Sequence, residues 1–189
     1  MQPGSPDQDR DQTMTLEAFA DTIIPGEKRS PQDRAIAGVA TGGGAVECGA
    51  LEVLNDPAAG VAAGLGPLSQ MLNGHAQAYA AEVGIELDAD VPPFVSLDYE
   101  HRAALVARLT APGHPERDGW VLLALFSNMA FDLAPHRHTA EAIADGHAGF
   151  IAMGFAKPDS DGLWRFPDYS YRRALANVHP DTIPSGSLG

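Results

Sequence analysis

Apolar residues recur at spacings of three and four along most of this chain, the period of helices that bury one face. Leu16, Phe19, Ala20, Ile23 and Ile24 make the first such run. Thr15 is a suitable N-cap with Glu17 behind it, and Pro25-Gly26 cannot continue the hydrogen-bond ladder. Ser30-Pro31-Gln32-Asp33 has the makings of a second helix start, with a Ser cap, Pro in the first turn and an acid facing the helix dipole. Gly42-Gly43-Gly44 breaks the pattern, and a helix from about Ala45 to Leu54 carries Val46, Leu51 and Leu54 inward. Asn55-Asp56-Pro57 reads as a turn. The Gly/Ala-rich stretch from Gly60 to Gly66 is ambiguous. From Leu68 the period returns through Met71, Leu72, His75, Tyr79 and Val83, and Gly84 is a natural stop.

Pro92-Pro93 lies in a loop, after which Ser96 can cap a helix to about Thr110, with Leu97, Ala104, Leu105 and Leu109 inward. Ala111-Pro112-Gly113 is a clear break. The segment from Gly119 to Ala134 is apolar nearly all round, so it is expected to be the central buried helix. Pro135 ends it, and Thr139 starts a last helix to about Met153. No strand-like alternation and no internal repeat is visible. The expectation is an all-α fold, a single compact domain of six to seven helices over residues 15–154. Residues 1–14 read as a disordered arm. Residues 155–189, with Trp164, Phe166, Tyr169 and Tyr171 among prolines, read as an irregular tail that packs on the domain or on a partner.

Charge narrows the partners. The chain has 25 acidic and 12 basic residues among 189, a net charge of −13. Nucleic acid binding requires clustered Lys and Arg, and only Lys28-Arg29 and Arg172-Arg173 are adjacent basic pairs. An anionic membrane surface is disfavoured for the same reason. The first 15 residues have neither a basic start nor an apolar stretch, so no secretion signal is expected and the protein reads as cytoplasmic. Cys48 is the only cysteine, which excludes an internal disulfide and a multi-cysteine zinc site.

The chemistry candidates gather in one place. His136, His138 and His147 fall close together with Asp132, Glu141 and Asp145. On a helix starting near His138, Glu141 and Asp145 share its face, and His with carboxylate can bind iron or zinc. Helical di-iron proteins repeat Glu-x-x-His, and that motif is absent here. Asp132 lies in an apolar helix, so it must be paired or face a cavity; with His136 it forms a possible acid/base pair or a structural tie. Elsewhere the signals fail. There is no Gly-x-Ser-x-Gly elbow. Cys48 follows an acid, which disfavours a thiolate and leaves core packing. Gly42-Gly43-Gly44 has no following Lys-Ser/Thr and no preceding strand, so it reads as a flexible link rather than a phosphate cradle.

The opening helix with its Pro-Gly end, LEAFADTIIPG, resembles the start of the small-subunit family of gluconate 2-dehydrogenase, whose members open with a helix ending Asp-Thr-Ile/Leu-Ile-Pro-Gly. Here the matching residues are Asp21-Thr22-Ile23-Ile24-Pro25-Gly26. Ala35, Ala37, Gly38 and Val39 follow as in that family, and Gly149-Phe150 and Gly154-Phe155 with Pro158 look like a loose version of its Gly-aromatic-Pro region. The chain departs in having no twin-arginine leader and no Gly-Gly-Asn signature, so the resemblance implies a divergent branch that stays in the cytoplasm. It implies further that the chain clasps a large flavoprotein of the glucose–methanol–choline type, which holds FAD and abstracts the hydride.

Three readings follow. In the first the chain is an accessory subunit that binds no cofactor or metal itself and stabilises a flavin-dependent dehydrogenase or oxidase acting on an alcohol or sugar-like substrate. In the second it is a small helical enzyme using Asp132, His136 and His138, with His147 alongside. In the third it is a scaffold with no redox partner.

Overall fold

The computed structural model describes residues 6–155 together with Lys157, Pro180 and Asp181. The chain divides into two compact units, residues 1–155 and residues 156–189. The aromatic positions Trp164, Phe166, Tyr169 and Tyr171 lie outside the described residues.

The first unit is all-helical among the described residues. Its helices are α1 (Pro6–Ile23), α2 (Ala50–Asn55), α3 (Leu65–Val83), α4 (Pro93–Ser96), α5 (Tyr99–Leu109), α6 (Arg117–Asp132), α7 (Thr139–Ala144) and α8 (Ala148–Ala152). Two 3₁₀ turns, Pro57–Ala59 and Ala62–Gly64, bridge α2 and α3. The helical architecture is thus the one the periodicity implies, with more and shorter pieces.

The centre is α1 rather than α6. It packs against α2, α3, α4, α5 and α6. Its Phe19 is fully buried, with ring centroids 6.4 Å from both Phe94 and Trp120. Leu16, Leu65, Leu72, Leu97 and Leu109 fill the same core. The helix also starts earlier than its apolar run does. It begins at Pro6, and Thr15 is an interior residue whose hydroxyl donates to the Asp11 carbonyl instead of capping. Asp7 and Asp9 in the first turn favour this extension through the helix dipole. The turn costs little once the packed half has nucleated the helix.

The stretch after α1 departs most from the pattern. No helix starts at Ser30; residues 24–49 are turns and extended chain. Asp33, expected in a first helical turn, instead accepts the Ala35 and Ile36 N–H groups at 3.1 and 3.2 Å. What holds the loop is two buried charges. Asp21 Oδ1 accepts the Gly26 N–H at 3.0 Å and Oδ2 the Ala37 N–H at 2.8 Å. From α5, Arg102 donates to the carbonyls of Ala35 and Val95, each at 2.6 Å, and of Leu97 at 2.8 Å. Burial raises the Asp21 pKa, opposed by its two backbone donors and by the charge of Arg102.

The triple glycine is a packing device here, not a slack link. A Cβ on Gly26 would lie 2.6 Å from the Gly44 nitrogen, and one on Gly44 equally close to the Gly26 nitrogen and the Ile24 carbonyl oxygen. Two backbone segments therefore lie in direct contact, tied by Ala45 N–H to Ile24 O at 3.0 Å and Glu27 N–H to Gly42 O at 2.8 Å.

Other boundaries shift for local reasons. Asp98, not Ser96, caps α5 by accepting the His101 N–H, while the Ser96 hydroxyl accepts the Asp88 N–H. On α5 Arg102 and Val106 are buried and Ala104 is exposed. The last expected helix is two, α7 and α8, because Gly146 adopts φ +76° between them. No described helix is long and apolar enough to cross a membrane.

Candidate functional site

The polar residues that follow α6 are spread over three short elements, and each has a local duty. His138 is exposed and caps α7, its Nδ1 accepting the Ala140 N–H at 3.3 Å. His147 is buried and caps α8, its Nδ1 accepting the Phe150 N–H at 3.4 Å, while its Nε2 faces the Cys48 carbonyl at 3.4 Å. Asp145 pairs with Arg137. Glu141 is exposed. Among the described residues no group of three or more His, Cys, Asp or Glu side chains is placed to hold a metal ion.

Two atoms stand apart. Asp132 Oδ1 and His136 Nδ1 are buried and have no hydrogen-bond partner. Asp132 is the last residue of α6, and the chain then turns sharply through Ala134, whose φ is +43°. That turn delivers His136 onto the Cys48-Gly49 corner ahead of α2. A Cβ at Gly49 would lie 2.3 Å from His136 Nε2, and Gly49 itself has φ +89°. Glycine is required at this corner both by the backbone and by the imidazole lying against it. Burial pushes the His136 pKa down, Glu52 and Asp56 pull it up, and His147 and Arg137 push it down further.

Cys48 closes the corner from inside. It is buried, and the Gly149 N–H donates toward its sulfur. Burial nonetheless raises the thiol pKa, so Cys48 is a protonated packing residue at neutral pH rather than a nucleophile. Above it α8 sits hard on α6: a Cβ on Gly149 would lie 1.8 Å from the Phe131 carbonyl oxygen. Phe150 and Phe155 stack with centroids 4.8 Å apart.

Beside His136 lies a cavity of about 210 Å³. Val53, Asp56, Ala58 and Ala59 form one wall, and Phe126 and Met129 of α6 the other. Pro135 and His136 close the end. Of the four site residues expected from sequence, the structure therefore brings His136 to a cavity and His147 to the corner behind it. It leaves Asp132 at the end of α6 and turns His138 outward. Sequence reasoning missed Asp56 and Gly49 as neighbours of His136, because that contact joins segments far apart in the chain.

Residues 10–189 match DUF5987, a family of unknown function. The chain belongs to that family. No curated protein and no solved structure matches it. Within a DUF5987 chain, then, the assembly of Gly49, His136 and the cavity wall is a feature to be read from geometry alone.

A second exposed feature lies on α6. Leu122, Leu125 and Leu133 are 41%, 50% and 57% exposed. Leu122 and Leu125, with the half-buried Phe126 and Met129, line one face of the helix at spacings of three and four, and Leu133 follows just past its end. The opposite face buries Trp120, Leu123, Ser127 and Ala130 in the core. The expectation of a helix buried all round is thereby corrected: α6 is apolar on both faces but covered on one.

Proposed function

We propose that this chain is an accessory subunit that binds and stabilises a FAD-dependent dehydrogenase or oxidase of the glucose–methanol–choline type, acting on an alcohol or sugar-like substrate. The observation that carries the reading is the uncovered apolar face of α6. Leucines exposed in a row along a helix are costly in water and favour burial against another protein. Ile151 and Phe155, 68% and 49% exposed, add further apolar surface around α8. The scatter of Asp132, His138 and His147 into separate capping and terminal positions is consistent with a subunit that leaves the chemistry to its partner. In this reading FAD and the hydride-abstracting groups belong to the partner. The segment Asp21–Gly26, where the resemblance to the gluconate 2-dehydrogenase small subunit is strongest, points to that class of partner.

The test is co-expression with glucose–methanol–choline-type flavoproteins of the same genome, followed by size exclusion. The expected result is co-elution of flavin absorbance with this chain. Leu125→Glu and Leu133→Glu separate the two without loss of helical content. A flavoprotein that is fully active and stable without this chain, and never co-elutes with it, overturns the proposal.

A second reading keeps the small helical enzyme, because Asp132 and His136 each hold a buried polar atom without a partner. It requires His136→Ala to abolish an activity of the isolated chain; retention of that activity removes it.

A further inference from the structure

Two histidines from different elements close on one peptide corner. His136, delivered by the turn after α6, lies against Gly49, where a Cβ would be 2.3 Å from Nε2. Its Nδ1 is buried with no hydrogen-bond partner. His147, the cap of α8, reaches the same corner. Its Nδ1 accepts the Phe150 N–H at 3.4 Å, so its proton sits on Nε2, which faces the Cys48 carbonyl at 3.4 Å. Both positions are built for a neutral imidazole. A second proton on His147 would fall on Nδ1 and displace the Phe150 N–H, since an imidazolium has donors only. A charge on His136 would be buried beside a nitrogen with nothing to donate to.

The surroundings do not offset that cost. Burial opposes a charge on His136 most, Glu52 and Asp56 favour it, and His147 and Arg137 oppose it. Arg137 is itself paired with Asp145. Glu47 lies on the corner beside Cys48, and Asp132 ends α6 just before the turn.

What the two rings hold down is a small piece with its own core. Ala134, Ala142, Ile143 and Phe150 form a cluster separate from the main one. There α7 packs on α8 and α8 on α6. Besides the imidazoles, its seats include Gly149 against the Phe131 carbonyl and Ala148 over Gly43. Such a piece can open locally at a fraction of the free energy of global unfolding. Cys48, the only cysteine of the chain, is buried beneath it.

We propose that His136 and His147 form an acid-released latch: when they take up protons, residues 134–155 lift from the Cys48–Gly49 corner while α1 to α6 stay folded. The opening bares Cys48 and the apolar side of α8, so mild acid converts a closed surface into an exposed one. The latch uses no residue of the exposed α6 face and does not depend on a partner subunit.

The experiment follows the full chain from about pH 7.5 to about pH 5.0 by two readouts. Cys48 is labelled with a pyridyl disulfide, its rate divided by that of the urea-unfolded chain at the same pH. Hydrogen exchange gives the protection of each amide, corrected for its intrinsic rate. Normalised labelling is expected to rise at least about tenfold over this range, the effect of one imidazole of ordinary pKa about 6.5 that ionises only when released. The His147 and Ile151 amides should lose protection in step, while those of Leu72 and Ala76 in α3 keep theirs. His136→Phe/His147→Asn should flatten both responses, because Phe fills the place against Gly49 and Asn caps α8 without titrating. If the double variant does not fold, His147→Asn alone should still weaken the response. Normalised labelling that does not change with pH overturns the proposal. So does loss of protection in α3 parallel to that in α8, or an undiminished response in the folded variants.

Discussion

Glycines and one histidine carry the geometry of the corner where α2, α6 and α8 meet. Gly149 is the tightest point, because the Phe131 carbonyl occupies the space a methyl group would need. Gly149→Ala should therefore cost about 1–3 kcal/mol by overpacking, measured by urea denaturation. The same substitution at Gly74, where a Cβ would meet nothing within 4 Å, serves as the control and should not destabilise. His136 makes a distinct prediction through pH. Its pKa in the native state is depressed from 6.5, chiefly by burial. The unfolded chain therefore binds a proton where the native chain does not. The associated stability is complete above pH 6.5 and is lost as the pH falls from there toward the depressed native value. Denaturation midpoints between about pH 7.5 and about pH 5.5 should fall more for the unaltered protein than for His136→Phe. An equal decline in both would show that His136 is solvated in the native state.

At the scale of elements, α1, α3 and α5 were legible because each obeys the helical period against one core. Even there the sequence carried an unused signal. Arg102 falls in phase with Leu105, Val106 and Leu109, so a charge on an apolar face announces a buried network. Its partners, the carbonyls of Ala35 and Val95, were not legible, since nothing local says which loop will fold back over α5. The loop 24–49 was misread for the same reason. Its order comes from Asp21 and Arg102 at a distance, and its Ser-Pro-x-Asp start is equally compatible with an Asx-type turn. Arg102→Met should cost about 1–3 kcal/mol or more, since it leaves the buried carbonyls of Ala35, Val95 and Leu97 without their donor. Hydrogen exchange should show the Gly26 and Ala37 amides opening first. The capping duties of His138 and His147 were not legible, because helix capping and metal ligation draw on the same side chains. On α6 the composition showed an apolar helix but could not say which face meets solvent. In the isolated chain Leu125→Glu should change stability by no more than about 0.5 kcal/mol, as an exposed position does. A larger loss on thermal denaturation would mean that this face is covered within the chain.

The whole molecule carries a charge of −13. Among the described residues, pairs such as Arg108 with Glu82 and Arg34 with Asp88 lie at the surface, and such pairs are each worth little. Self-repulsion should outweigh them. Raising the salt from about 10 mM to about 150 mM, which shortens the screening length to about 8 Å, should therefore raise the melting temperature. A fall would mean that the pairs dominate.

The six residues from Asp21 to Gly26 end a helix, bond the loop that follows, and admit Gly44 against Gly26. All of that is construction. A substitution anywhere in it therefore disturbs the scaffold first. The exposed Leu122, Leu125 and Leu133 have no such duty, so that surface can change without rebuilding the scaffold.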